Sequence, residues 1–198
     1  MKITKIWMGL LAIIALTYPM VSAASNKELA LGSDNAPVTL IEYGSLTCDF
    51  CIAFHRNVLP RVKKRYINGG AARFIFRHFP TSETAVHAAV AAQCAGDKYY
   101  KMLDELYASV AGWYQAEDRN GFFTQQASSI GLNAEKFRAC LNEKKHFEDI
   151  LNRQRIARKE HDVTGTPTFF INGKIVRGKQ SFAEIKKLID EAAAQASR

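Results

Sequence analysis

Val38-Thr39-Leu40-Ile41-Glu42-Tyr43-Gly44-Ser45-Leu46-Thr47-Cys48-Asp49-Phe50-Cys51 is the stretch on which the reading of this chain turns. Residues 38–43 are β-rich and almost continuously apolar, the pattern of a central strand buried on both faces. Residues 44–47 make a turn. From Cys48 onward the period changes: Phe54, Val58, Val62 and Tyr66 recur at four-residue steps, which predicts a helix to about Asn68. Pro60 predicts a kink in it, and Asn68-Gly69-Gly70 ends it. The two cysteines are three residues apart on one helical face, within disulfide reach of each other. Cys48 stands at the helix start, where unpaired N–H groups and the macrodipole favour an anion. A thiol there has a lowered pKa and is the one that attacks or leaves. Cys51, one turn deeper, is expected to be less exposed and to act as the resolving thiol.

Outward from this stretch, Arg73-Phe74-Ile75-Phe76-Arg77 reads as the next strand, closed by Pro80. Residues 81–162 read as helices, with breaks expected at Gly96, Gly112, Gly121 and Gly131. Asn133 is a good N-cap for a helix holding Phe137, Cys140 and Leu141. Thr168-Phe169-Phe170-Ile171, then Asn172-Gly173, then Lys174-Ile175-Val176 reads as a hairpin, because Asn-Gly supplies both positive φ values of a tight turn. Ser181 and Glu184 form a capping box ahead of a final amphipathic helix with Ile185, Leu188, Ile189 and Ala192. The order is β-α-β, a block of helices, then β-β-α. This predicts one α/β domain made of residues 38–80 and 163–198, interrupted by a helical insertion over 81–162 and preceded by a polar lead-in over 24–37.

The N-terminus sets the expected compartment. Lys2 and Lys5 precede an apolar run over residues 6–16, too short to span a bilayer at 1.5 Å per residue. Pro19 and then Val21-Ser22-Ala23 complete the pattern of a secretory signal peptide over 1–23, cut after Ala23. No later stretch is long and apolar enough to span, so no membrane insertion is expected after cleavage. An exported chain meets an oxidising environment in which cysteines pair. The composition fits a globular protein: 198 residues, 47% apolar, 23% charged, four cysteines. The formal charge of +8 resembles a nucleic-acid signal, but removing Lys2 and Lys5 leaves 25 basic against 19 acidic residues. The remaining positives are spread over helices without an interleaved aromatic platform, which argues against nucleic-acid binding.

Two further residues sharpen a redox reading. Glu42 lies on the strand beneath the cysteine pair, where a buried acid holds a raised pKa and can relay the proton of Cys51. Pro167 stands immediately before a strand, a position suited to a cis peptide. The competing reading of Cys48 and Cys51 is half of a zinc site. Structural zinc usually takes four ligands, yet Cys94 and Cys140 form no second close pair. His55, four residues after Cys51, reads as a solvated or packed helical histidine. Neither a metal nor another cofactor is therefore expected. A non-catalytic metal-binding protein is the rival class; it would retain zinc or copper on purification and lack disulfide-reducing activity.

The chain resembles the DsbA-like branch of the thioredoxin superfamily, and within it the Com1-like exported thiol oxidoreductases. The likeness rests on Ala36-Pro37-Val38-Thr39, Glu42-Tyr43, Cys48-Asp49-Phe50-Cys51, Arg77-His78-Phe79-Pro80, Gly165-Thr166-Pro167-Thr168-Phe169 and Asn172-Gly173. It implies a thioredoxin fold with a helical insertion and a redox-active Cys48–Cys51 disulfide. Cys48 would be the exposed nucleophile, Cys51 the resolving thiol and Glu42 the buried acid. Pro167 would be the cis-proline facing the pair, and Thr166 would offer its backbone to an extended substrate. A structural bridge between Cys94 and Cys140 is implied as well. So are exported protein thiols as substrates, a DsbB-type membrane oxidase as partner, and a periplasmic location. The strongest oxidants of the family carry Pro-His between the cysteines and Val before the proline. Here Asp49-Phe50 and Thr166 replace them, and Asp49 is expected to disfavour the Cys48 thiolate by comparison, making a moderate oxidant. The alternative role is a reductase or isomerase using the same pair. Only 14 residues, 24–37, separate the expected cut from the first strand, which leaves no N-terminal dimerisation domain of the isomerase kind and points to a monomer.

Overall fold

The computed structural model describes residues 28–197. The signal segment read over 1–23, its cut after Ala23 and residues 24–27 of the lead-in lie outside the described residues. β1 (Val38–Gly44) is an inner strand of a four-stranded sheet ordered β2-β1-β3-β4. It pairs in parallel with β2 (Ala72–His78) and antiparallel with β3 (Thr168–Ile171), whose other edge carries β4 (Lys174–Arg177). A strand flanked on both edges and covered on both faces must be apolar throughout. Val38, Leu40 and Tyr43 are accordingly buried, and so is Glu42.

The parallel β1–β2 connection is the cysteine-bearing helix. It starts as α1 (Asp49–Ala53), widens into a π-helical turn over Phe54–Val58, continues as α2 (Leu59–Val62) and widens again over Lys63–Ile67. Where the sequence predicts a kink at Pro60, the helix changes type. Pro60 falls in the first turn of α2, directly after the first π turn, where its missing N–H is tolerated. Phe54, Leu59 and Val62 pack with Leu40 and Phe74 of the sheet into the main core. Burying side chains of this size contributes roughly 1.5–3 kcal/mol each.

The helical block holds α3 (Glu83–Cys94), a 3-10 turn (Gly96–Lys98), α4 (Tyr99–Ala108), α5 (Val110–Gln115), α6 (Arg119–Ser129), α7 (Ala134–Leu141) and α8 (Lys144–Glu160). Two expected breaks are misplaced. Gly112 lies inside α5, where an added Cβ would meet the Phe122 ring at 2.8 Å. Gly121 lies inside α6, and its N–H donates to the capping Asp118. These glycines serve close packing and capping, and the α5–α6 boundary falls at residues 116–118 instead. Asn133 does cap α7, accepting from Lys136 N at 2.9 Å. Trp113 is fully buried, with its indole N–H donating to the Leu106 carbonyl at 2.8 Å.

Asn172 and Gly173 turn the β3–β4 hairpin with φ of 44° and 86°, the paired positive values of a type I′ turn. The Ser181–Glu184 capping box opens α9 (Phe182–Ala196). α9 packs Ile185 and Ile189 into the main core. On the opposite face of the sheet, Tyr43 joins Ala157 of α8, with Phe79 and Val163. No helix among the described residues is long and apolar enough to cross a membrane.

Cys94, at the end of α3, is bonded to Cys140 in α7 across 46 positions of sequence. Closing a loop of that size restricts the unfolded chain. Replacing both residues by Ala is expected to lower the unfolding free energy by about 2–4 kcal/mol in urea melts, with thiol exchange at Cys48 retained.

Candidate active site

The site is assembled where β1 ends and α1 begins. Cys48 is the N-cap of α1, extended at φ −89° and ψ 121°, and half-buried. Its sulfur therefore faces the free N–H groups of the first turn. Cys51, on that turn, is fully buried. Both are free thiols. The cis Thr166–Pro167 bond brings a third segment against them, and the Cys48 thiol donates to the Thr166 carbonyl oxygen at 3.4 Å.

This arrangement separates the two thiols chemically. Donation from the Cys51 thiol, a side-chain bond from Thr166 and the backbone N–H groups of Cys51 and Phe50 outweigh burial, and lower the Cys48 pKa to about 5. The hydrogen bond from Cys51 is the largest of these causes. Burial, retention of the proton shared with Cys48 and the Glu42 charge push Cys51 far the other way. Asp49, whose charge the sequence places beside the pair, is exposed.

Beneath the pair, Glu42 is 0% exposed. Burial raises its pKa, opposed first by His55. His55 is the residue that sequence reasoning missed. It belongs to the π turn after α1, its side chain is 2% exposed, and its Nε2 lies 2.9 Å from Glu42 Oε2. Its ring stacks on Tyr107 of α4, with centroids 3.9 Å apart. Arg56 donates to the Tyr107 and Ala108 carbonyls and fastens the same two elements. The one available signal was spacing: His55 lies one turn beyond Cys51, on the face that carries Phe54 and Val58 into the core.

The helical block also meets the turn ahead of Cys48. Ser45 Oγ pairs with Thr81 Oγ1 at 3.0 Å, and Thr47 Oγ1 with Ser82 Oγ at 3.3 Å, Ser82 being the N-cap of α3. His78 of the Arg77-His78-Phe79-Pro80 motif is half-buried and hydrogen-bonds Tyr99 at 3.0 Å; desolvation holds its pKa down near 3. Among the described residues, the one grouping of metal-type donors is Cys94, Cys140 and His146. Its two sulfurs are already bonded to each other.

The chain can be placed by likeness. A family model described as thioredoxin matches residues 24–191. The crystal structure of α-DsbA1 from Wolbachia pipientis superposes with a TM-score of 0.79 at 30% identity, covering 87% of this chain and 94% of that one. A Rickettsia typhi protein provisionally named as a protein-disulfide oxidoreductase is 26% identical over 90% of this chain and 66% of its own length. This chain thus spans a little under two thirds of that relative. A Bacillus anthracis protein provisionally named disulfide bond formation protein D is 29% identical over 85% of this chain and 79% of its own.

Removing the Cys51 donor in Cys51→Ala is expected to raise the Cys48 titration midpoint from about 5 toward the ordinary thiol value, read by thiolate absorbance. A linked effect follows on stability. The folded Cys48 pKa lies below the unfolded value of about 8.5, so its stabilisation of the reduced protein is complete above that pH and is lost as pH falls through about 5. The oxidised protein, with no Cys48 thiol to titrate, lacks this loss, and paired denaturant melts from pH 8.5 to 4.5 check it. With the thioredoxin match over most of its length and the likeness to α-DsbA1 at 30% identity, the chain belongs to the thioredoxin family, in its DsbA-like branch.

Proposed function

We propose that this protein is an exported oxidase that installs disulfides in newly exported proteins. The observation that carries the reading is the unequal placement of the two thiols, Cys48 half-buried at the N-cap of α1 and Cys51 fully buried one turn deeper, so that one favours the thiolate and its partner retains the proton. Such a pair releases Cys48 readily as a leaving group, which favours the dithiol and makes the disulfide an oxidant. A substrate thiolate attacks Cys48 Sγ in the Cys48–Cys51 disulfide. The bond to Cys51 breaks, and Cys51 leaves with the electron pair and takes up a proton. A second substrate thiolate then attacks the substrate sulfur joined to Cys48. The substrate keeps its new disulfide and Cys48 leaves as the stabilised thiolate.

Glu42, buried beside Cys51, is the acid that supplies the proton in the first step. Thr166 and Pro167, set against Cys48, are the surface on which an extended substrate segment adds to the chain. The lysines, short apolar run and small residues of 1–23 support export to the periplasm, with the leader cut after Ala23. A membrane oxidase of the DsbB type would return the pair to the disulfide, and the protein would work as a monomer.

A Cys48 pKa of about 5 lies between thioredoxin at ~7 and the strongest DsbA oxidant at ~3.5. The expected potential therefore lies between about −270 and about −120 mV against glutathione, and a value as high as −120 mV would contradict a moderate oxidant. Trapping the thiols in acid-quenched cells tests the direction. The oxidase requires Cys48 and Cys51 to be joined at steady state; a reduced pair would overturn it in favour of the reductase or isomerase role.

A further inference from the structure

We infer that His55 is a positioning residue that works through Glu42: it holds the carboxyl in place and sets how readily that carboxyl exchanges a proton with Cys51. The inference rests on the oxidoreductase reading above and adds to it a group with no contact to substrate. His55 Nε2 and Glu42 Oε2 are 2.9 Å apart, and both side chains are essentially closed to solvent. Glu42 Oε1 and His55 Nδ1 are buried without hydrogen-bond partners among the described residues. Few buried polar atoms are left so, and here two of them belong to one hydrogen-bonded pair.

The unpaired atoms constrain the protonation of the pair. A doubly protonated His55 would bury an orphan charged donor at Nδ1, the costlier arrangement. With a single proton at Nε2, His55 donates to the carboxylate and Nδ1 is only an unpaired acceptor. Glu42 then has one oxygen committed to His55 and one, Oε1, free for the proton that Cys51 gives up. In the resolving direction the Cys51 thiol passes its proton to the carboxylate, and its sulfur attacks the mixed disulfide at Cys48. The Cys48–substrate bond breaks and the substrate leaves as thiolate. In the oxidising direction the protonated carboxyl returns that proton to Cys51 as it leaves.

The surroundings hold this exchange in place. α1 presents Cys48 and Cys51, and both interact electrostatically with Glu42. α4 presents Tyr107, stacked on His55, together with Tyr99 and Tyr100. Burial raises the pKa of all three tyrosines, so they stay neutral. β2 presents His78, which burial keeps neutral above about pH 3, and Phe76, edge-on to the His55 ring. β3 sets Phe169 opposite Glu42. Arg56, on the same turn as His55, is committed to the α4 carbonyls. Cys51 and His55 are thus the exchange partners of Glu42 within this set.

The test follows resolution of the mixed disulfide that Cys48 forms with oxidised glutathione, by acid quench and mass from pH 4 to 9, in the intact protein. Loss of the donor in His55→Phe raises the proton affinity of Glu42. Its resolution midpoint is expected to move up by about one pH unit, with resolution roughly tenfold slower at pH values below the wild-type midpoint. His55→Gln, which keeps an N–H donor, is expected within about threefold of wild type. His55→Asn, too short to reach, should behave as His55→Phe and answers if the latter does not fold. Glu42→Gln combined with His55→Phe should match Glu42→Gln alone within about twofold, because His55 acts through Glu42. An unchanged midpoint with only a lowered melting temperature would overturn the inference, as would independent, multiplying effects in the double variant. A wild type that forms no mixed disulfide at all would instead overturn the oxidoreductase reading, and this inference with it.

Discussion

A division of acidity between two thiols, Cys48 lowered and Cys51 raised, organises the chemistry of this molecule. It is possible because one sulfur is the N-cap of a helix and the other lies a turn deeper in the core. The half-exposed sulfur gathers donors and becomes the anion. The buried sulfur, with no water to solvate a charge, keeps the proton. Everything else in the fold serves to hold that asymmetry: the apolar strand that ends at Gly44, the turn fastened by Ser45 and Thr47, and the cis-proline segment that closes over Cys48.

A buried proton donor needs a partner in the same dry space. Glu42 is costly where it lies, since a carboxylate away from water is destabilised by several kcal/mol unless it is paired. His55 provides the pairing, and Tyr107 of the helical block covers it. The block is thus more than an insertion between two halves of a sheet. It contributes the lid of the buried pair, the Thr81 and Ser82 hydroxyls beside the Cys48 turn, and through Cys94 and Cys140 its own reinforcement.

Much of this was legible in the sequence because it depends on local chemistry. The switch from an apolar run to four-residue spacing at Cys48 placed the strand, the helix and the cysteine pair. Asn172-Gly173 and Ser181 with Glu184 marked a turn and a cap whose geometry is dictated by those residues alone. Glu42 stood out because an acid in an apolar strand demands a reason. His55 did not, since a histidine four residues past Cys51 is unremarkable until Tyr107, 52 positions on, is folded against it. Gly112 and Gly121 read as breaks because their packing partners, Phe122 and Asp118, lie on the neighbouring element or at a cap.

The central claim is that the proton of the reduced pair resides on Cys51. Isotope-edited NMR titration of the Cys48 and Cys51 β-carbons in the reduced protein reads this directly. The account predicts a Cys48 midpoint of about 5 and a Cys51 signal that does not titrate up to about pH 9, above the ordinary thiol value. Two thiols titrating together in the ordinary range, near 8.5, would contradict it.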